Sequence, residues 1–182
     1  MKNKQSKEIV VGVCGGISAY KACEVVRQLK KQGHEVTVLM TEEAQKFVAP
    51  LTFKTLSGRP VVCDMFGEDV PWNPVHISVA DRADMIVIVP ATAQMIAKAA
   101  CGLCDDIISC VLTAAKAKVL FCPAMNDNMY KHPTVQKNLK TLKSFGYEIC
   151  GPVKGALACG REGPGHLAAV EDIISRIEKL IR

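Results

Sequence analysis

Four short stretches of the chain gather side chains with chemistry to offer. The run PAMNDNMY (Pro123 to Tyr130) follows directly on the apolar VLFC. Met125 and Met129 are soft, adaptable partners for a flat aromatic ring. The Asn126 amide can donate to and accept from a bound carboxylate or amide; Asn126 and Asn128 serve equally well as turn-formers. His76, in WNPVHISVADRA, has a side chain whose ordinary pKa suits proton transfer near neutrality, although a lone histidine is more often structural. Cys159 lies in the glycine-rich GALACGREGPGH, unlike the cysteines embedded in apolar runs. With Arg161 and His166 close by, it reads either as a mobile acid or as an incidental thiol. The turn Gly15-Gly16-Ile17-Ser18 allows close backbone approach to a ligand, and the helix start behind it offers N–H groups to a phosphate. A plain strand-to-helix turn accounts for it equally well.

That turn is neither GxGxxG nor GxxxxGK[ST], so the dinucleotide and P-loop fingerprints are both missing. The next strand ends in Met40-Thr41, where a NAD site would place an acid on the ribose hydroxyls. A mononucleotide such as FMN fits better. PATAQMIAK adds Thr92 and Gln94 at a helix start, which alone is an N-capped helix. Cys101 and Cys104 form a CxxC with no second pair or histidine at zinc spacing, so no metal is expected, and a helical setting would bury both thiols.

The elements that must position these groups follow from hydrophobic patterning. EIVVGVC, EVTVLM, ADMIVIVP, VLFCPA and YEIC read as strands apolar on both faces. Between them run helical segments over AYKACEVVRQLKKQ, over TEEAQKF with Thr41 as N-cap, over about 91–115 and over about 133–145, and EDIISRIEKLIR closes the chain. Alternating strands and helices predict an α/β fold, a three-layer doubly wound parallel sheet of Rossmann or flavodoxin type, as a single domain over 1–182 with about five main strands. In such sheets ligands sit beyond the carboxyl ends of the strands. The Gly15 turn, the Thr41 start, PATAQMIAK and PAMNDNMY all lie there.

The composition, 49% hydrophobic and 23% charged, is that of a folded globular chain. The net charge of +5 is spread over helix faces, densest in the N-terminal MKNKQSK, with no basic stripe interleaved with aromatics. Nucleic acid is therefore not an expected partner. The nine cysteines are odd in number and several lie in apolar runs, which points to reduced thiols. No signal segment or membrane-length apolar stretch is read, so a cytoplasmic protein without membrane association is expected.

GGISAYK, His76, PATAQMIAK, PAMNDNMY and ACGREGPG, in that order, resemble the flavin-dependent cysteine decarboxylases over nearly the whole chain. The similarity is greatest to the branch that decarboxylates 4′-phosphopantothenoylcysteine in coenzyme A biosynthesis, in a form without the ligase domain that many bacterial members carry. The resemblance implies FMN, held by Gly15, Gly16, Ser18, Thr41, Ala91, Thr92, Ser109 and Met125. It implies His76 as catalytic base, Asn126 as the group on the substrate's carboxylate and amide, and Cys159 as the acid of the final reduction. Met129 and Ala158 join Asn126 and Cys159 on the substrate. It also implies a homotrimer, in some members assembled into a dodecamer, with the site at a subunit interface.

The chemistry requires such a set. Loss of CO₂ from the cysteine carboxylate would leave a carbanion without an electron sink. Oxidation of the CH₂–SH group to a thioaldehyde puts C=S beside that carbon, and the flavin takes the hydride. The enethiolate is then protonated and reduced. The family pattern departs at Tyr130 (usually Trp), Gln94-Met95 (usually Asn-Thr), Cys110 (usually Ser or Thr, with Ser109 as substitute) and His166 (often Arg). The alternatives are a peptidyl-cysteine decarboxylase of lantibiotic synthesis, which stops at the enethiol, and a non-catalytic regulatory flavoprotein.

Overall fold

A computed structural model describes residues 6–66 and 74–182. The basic residues 1–5 and residues 71–73, just ahead of His76, lie outside the described part.

Five parallel strands form the main sheet: β1 (Glu8–Val13), β2 (Glu35–Met40), β3 (Met85–Ala91), β4 (Lys118–Pro123) and β5 (Glu148–Ile149), in the order β2-β1-β3-β4-β5. All but the short β5 are buried on both faces. Ile9, Val11, Val13 and Val87 pack with α1 (Ala19–Lys31), α3 (Pro50–Ser57) and α9 (Val170–Leu180). Val10, Ile86, Ile88 and Phe121 pack with α4 (Val75–Arg82), α5 (Ala93–Cys101), α6 (Ile107–Ala114) and α8 (Pro133–Ser144). Each strand therefore feeds two cores, which is why no polar alternation marks it in the sequence. This is the three-layer α/β architecture read from the sequence.

The chain leaves β1 toward β2 at one edge and returns to place β3 on the other side of β1. That reversal opens a crevice between the loops after β1 and β3, the position where such sheets bind ligands.

Several segments differ from their sequence reading. The helix expected over about 91–115 is two helices. Gly102 takes a left-handed conformation and ends α5, and Asp106 starts α6 by accepting from the Ser109 N–H at 2.8 Å. The Ser109 hydroxyl accepts in return from the Asp106 N–H, a reciprocal cap. Cys101, the last residue of α5, and Cys104, in the connection, are both exposed, not buried as expected, because the helix stops there. The glycine-rich segment near Cys159 is a β-hairpin, β6 (Val153–Ala156) paired antiparallel with β7 (Glu162–His166). Its VKGA and EGPGH lack the apolar alternation that announces a strand. The short helices α2 (Glu42–Gln45) and α7 (Asp127–Lys131) complete the chain, and Thr41 caps α2 by accepting from the Ala44 N–H, as its position predicts.

Candidate active site

At the carboxyl edge of the sheet lies a cleft of about 650 Å³. The turn after β1, the start of α5, the loop from β4 into α7, and the β6–β7 hairpin enclose it. Its size is in the range of small-molecule sites.

The β1 turn has two glycines with different reasons. A Cβ on Gly15 would stand 2.3 Å from Glu43 Cβ and 2.9 Å from the Glu43 carbonyl carbon, so that position is fixed by close packing against α2. A Cβ on Gly16 would meet nothing within 4 Å. The space beside Gly16 opens into the cleft. Ser18 precedes α1 and its hydroxyl makes no capping hydrogen bond. The start of this 13-residue helix lies at the cleft, where the positive end of its dipole favours an anion. Lys21, one turn in, makes its hydrogen bond to His166 Nε2 at 3.1 Å and not to a carboxylate. His166 Nδ1 lies 2.8 Å from the Ala156 carbonyl, which fixes the proton on Nδ1 and leaves Nε2 to accept from the Lys21 ammonium.

Across the cleft, Pro90, Ala93, Ala124, Met125, Met129 and Leu157 supply an apolar wall. Thr92 caps α5 by accepting from the Met95 N–H at 3.2 Å. An anion-favouring helix start and an apolar wall lining one cleft suit a phosphorylated flavin. The residues present fit FMN.

Asn126 is the N-cap of α7. Its Oδ1 accepts from the Asn128 and Met129 N–H groups at 2.9 and 3.4 Å. That commits the oxygen and turns the Nδ2 protons outward, so the amide acts on the cleft as a donor. Nδ2 reaches Cys159 Sγ at 3.5 Å. Cys159 sits in the hairpin turn and is exposed. The Arg161 backbone N–H, then the Arg161 guanidinium and the Asn126 amide, hold its thiol below the ordinary cysteine value. Cys14, directly beneath the glycine turn, behaves oppositely: burial pushes its thiol up to about 12.

The hairpin is held to the Asn126 loop by backbone contact. Met125 N donates to the Gly165 carbonyl at 3.0 Å, and a Cβ at Gly165 would stand 2.1 Å from the Met125 carbonyl oxygen. Only glycine permits that approach.

Of the residues implied for FMN or substrate, Gly15, Gly16, Ser18, Thr92, Met125, Asn126, Met129, Ala158 and Cys159 line the cleft. Thr41, Ala91 and Ser109 do not. Thr41 and Ser109 are buried and occupied as helix caps, and Ala91 is buried in β3. His76, second residue of α4, also stands outside the lining. Sequence reasoning passed over Lys21, Tyr20 and the Asp127–Arg161 ion pair (2.6 Å). Lys21 was visible only as the last letter of GGISAYK; nothing local marks the ion pair, which joins residues 34 apart.

Among the described residues, no group of three or more His, Cys, Asp or Glu is placed to hold a metal, and no helix is long and apolar enough to cross a membrane.

The Flavoprotein family model matches residues 1–182. The chain is 43% identical over 175 residues to the coenzyme A biosynthesis bifunctional protein CoaBC of Mycobacterium tuberculosis (strain ATCC 25618 / H37Rv), covering 96% of this chain and 41% of that protein. It thus spans about two fifths of the length of that bifunctional relative. A probable phosphopantothenoylcysteine decarboxylase of Streptococcus mutans serotype c is 42% identical over 176 residues, covering 96% of this chain and 98% of its own. Among solved structures, the FMN-dependent cysteine decarboxylase SpaF superposes with a TM-score of 0.85 at 30% identity, covering 97% of this chain and 95% of that one.

Proposed function

The chain belongs to the Flavoprotein family, and we propose that it is a phosphopantothenoylcysteine decarboxylase that binds FMN and turns 4′-phosphopantothenoyl-L-cysteine into CO₂ and 4′-phosphopantetheine. The observation that carries this reading is the meeting of Asn126 and Cys159 across one cleft, 3.5 Å apart. A carboxylate anchor and a thiol acid on the same bound cysteine are what decarboxylation followed by reduction requires. The near full-length likeness to the Streptococcus mutans protein and to one part of the CoaBC protein supports it.

Held by Gly15, Gly16, Ser18, Thr92 and Met125, FMN would supply the two-electron redox chemistry that conversion of the CH₂–SH group to a thioaldehyde and the later reduction require. The protein supplies the rest. The outward Nδ2 protons of Asn126 hold the substrate carboxylate. The start of α1, with Ser18 and Lys21, offers the positive end of the cleft to a phosphate. Cys159 gives a proton to the enethiolate, and its Sγ is reprotonated from solvent. His76 takes the proton released in the oxidation.

His76 is absent from the cleft of its own chain. We place it in the cleft of a second copy, so that the site is completed in a homo-oligomer, a trimer by the family's pattern. Ile17 and Tyr20 on the cleft and Ile77 beside His76 are all exposed, an apolar rim that such a copy would cover.

The likeness to SpaF, an FMN-dependent cysteine decarboxylase, is equally compatible with the alternative of a peptidyl-cysteine oxidative decarboxylase. The test is an assay of purified protein with 4′-phosphopantothenoylcysteine and with a peptide ending in cysteine, following CO₂ and product mass for wild type and Cys159→Ser. The expected outcome is 4′-phosphopantetheine from wild type, with the variant releasing CO₂ but stalling at the enethiol. Turnover of the peptide alone, unaffected by Cys159→Ser, would overturn the proposal.

A further inference from the structure

We propose that Asp127 and Arg161 form a positioning pair that clamps the turn of the β6–β7 hairpin to the start of α7 and so presents the Cys159 thiol to the Asn126 amide. This rests on the function proposed above and assigns that site two further residues.

Asp127 follows Asn126 directly, and Arg161 lies two residues beyond Cys159. A tie between Asp127 and Arg161 therefore fixes Cys159 beside Asn126, whose own amide is already held by the start of α7. Arg161 Nη2 donates to Asp127 Oδ1 at 2.6 Å, and Lys131 reaches Asp127 Oδ2 at 3.4 Å. Among the described residues Asp127 is one of few buried charged groups, at 8% exposure. Burial pushes its carboxyl up, but Arg161 and Lys131 outweigh that and hold it below the ordinary carboxylate value. A Cβ on Gly163 would stand 2.9 Å from Asp127 Cβ, so β7 lies directly on the acid.

The turn itself is tight. Leu157 N donates to the Arg161 carbonyl at 2.8 Å, and Gly160 N to the Leu157 carbonyl at 2.9 Å. Residues 158–162 are exposed, and none offers the body of the protein an apolar anchor. Lys154, which pairs with Glu162 within the hairpin at 3.6 Å, does not tie it down either. At the turn, the side-chain links to the body are the Asp127–Arg161 pair and the Asn126–Cys159 contact.

The clamp acts on the second half of the reaction. In that half two C–H bonds form on the enethiolate: one takes the proton as the Cys159 S–H bond breaks, the other takes the hydride that bound FMN would carry over from the first half, and the thiolate regains its proton from solvent. Oxidation and CO₂ loss need Asn126 and His76 but not the thiol. Loosening the turn should separate the halves.

The experiment compares wild type, Arg161→Gln, Asp127→Asn and Arg161→Lys as FMN-loaded protein. The first readout is the pH dependence of iodoacetamide alkylation at Cys159, followed on its peptide by mass spectrometry. The second is the ratio of CO₂ to 4′-phosphopantetheine. In Arg161→Gln the alkylation midpoint should move to higher pH; Asp127→Asn also removes a negative charge, so there the share of enethiol is the deciding readout. CO₂ release should stay within about twofold of wild type, and the share of turnovers ending as enethiol should rise at least fivefold. Arg161→Lys, which keeps a cation, should recover most of both. Arg161 is half exposed, so its replacement leaves the fold intact even if that of Asp127 does not. An unchanged alkylation midpoint, with CO₂ and final product falling together, would overturn the clamp. Should wild type turn over no phosphopantothenoylcysteine, the function fails while the alkylation profile still decides the clamp.

Discussion

The two edges of the main sheet are built on opposite terms. At the amino edge almost every charge is answered. Arg59 bridges Glu8 at 2.6 Å and Glu35 at 3.1 Å. Lys30 reaches Glu35 at 3.0 Å, Lys7 reaches Asp84 at 3.2 Å, and buried His34 contacts Glu178 at 3.1 Å. At the carboxyl edge four groups that face the cleft have no carboxylate partner and keep their outward capacity: Asn126 Nδ2, the Cys159 thiol, the Ser18 hydroxyl and the Lys21 ammonium. One edge spends its polar groups on itself. The other fixes them with local caps and leaves them for a ligand. The loss of a group should therefore cost stability at the first edge and chemistry at the second.

The sharpest test concerns the one proposed catalytic group the cleft does not contain. His76→Asn and Asn126→Asp should each lower decarboxylation by about 10²–10⁴-fold, the usual weight of a positioned acid, base or anchor. Co-expressed in one cell, the two inactive chains should recover activity, up to about a quarter of the wild-type rate, since a copy with Asn126 intact then meets one with His76 intact. Activity that stays at the level of the single variants would place His76 within its own chain's site and end the assignment to a neighbour. Sedimentation of the mixed sample checks that hetero-oligomers formed.

A smaller effect is expected where the cleft is supported from below. Gly15→Val forces a side chain into Glu43, where even a Cβ would lie 2.3 Å away. Such overpacking costs about 1–3 kcal/mol. It should shift the urea midpoint down, and FMN affinity measured by flavin fluorescence should fall with it. Gly16→Ala meets open space and should leave the urea midpoint unchanged while weakening FMN. Equal losses of stability in both variants would erase the distinction between a packing glycine and a ligand-facing one.

How much of this was legible in the sequence follows the same division. The sheet was legible because its strands bury both faces, leaving continuous runs such as IVVGV and VTVLM that no helix period explains. The loops at its carboxyl ends could be named as a crevice once the alternation of strands and helices was fixed. The hairpin that carries Cys159 was not legible, since EGPGH is a strand by pairing and close approach, with Gly165 on the Met125 carbonyl, and not by pattern. Thr41 and Ser109 show the converse limit. The family resemblance implies both for FMN; in this chain their hydroxyls sit at helix starts and neither lines the cleft. The cap of Thr41 could be read locally, whereas that of Ser109 required knowing that α6 begins at Ile107.

The smallest effect belongs to the amino edge and concerns pH. Asp84 accepts from the Glu8 N–H at 2.8 Å and from Lys7 Nζ at 3.2 Å. The Glu8 N–H, then Lys7, hold its carboxyl below the ordinary value. A carboxyl depressed by folding stabilises the native state above its unfolded pKa of about 3.9. That stabilisation fades as pH falls through the lower folded value, because the folded state must then take up a proton its partners resist. Asp84 is part-exposed, so solvent screening limits its share to about 0.5 kcal/mol. Asp84→Asn should therefore lower the urea midpoint slightly at pH 7 and flatten the loss of stability below pH 4. It should leave FMN affinity and the ratio of CO₂ to product at wild-type values, because the side chain ties strands at the edge opposite the cleft. A change in either of those would show that the two edges are mechanically coupled through β1 and β3, and the separation of stability from chemistry would have to be given up.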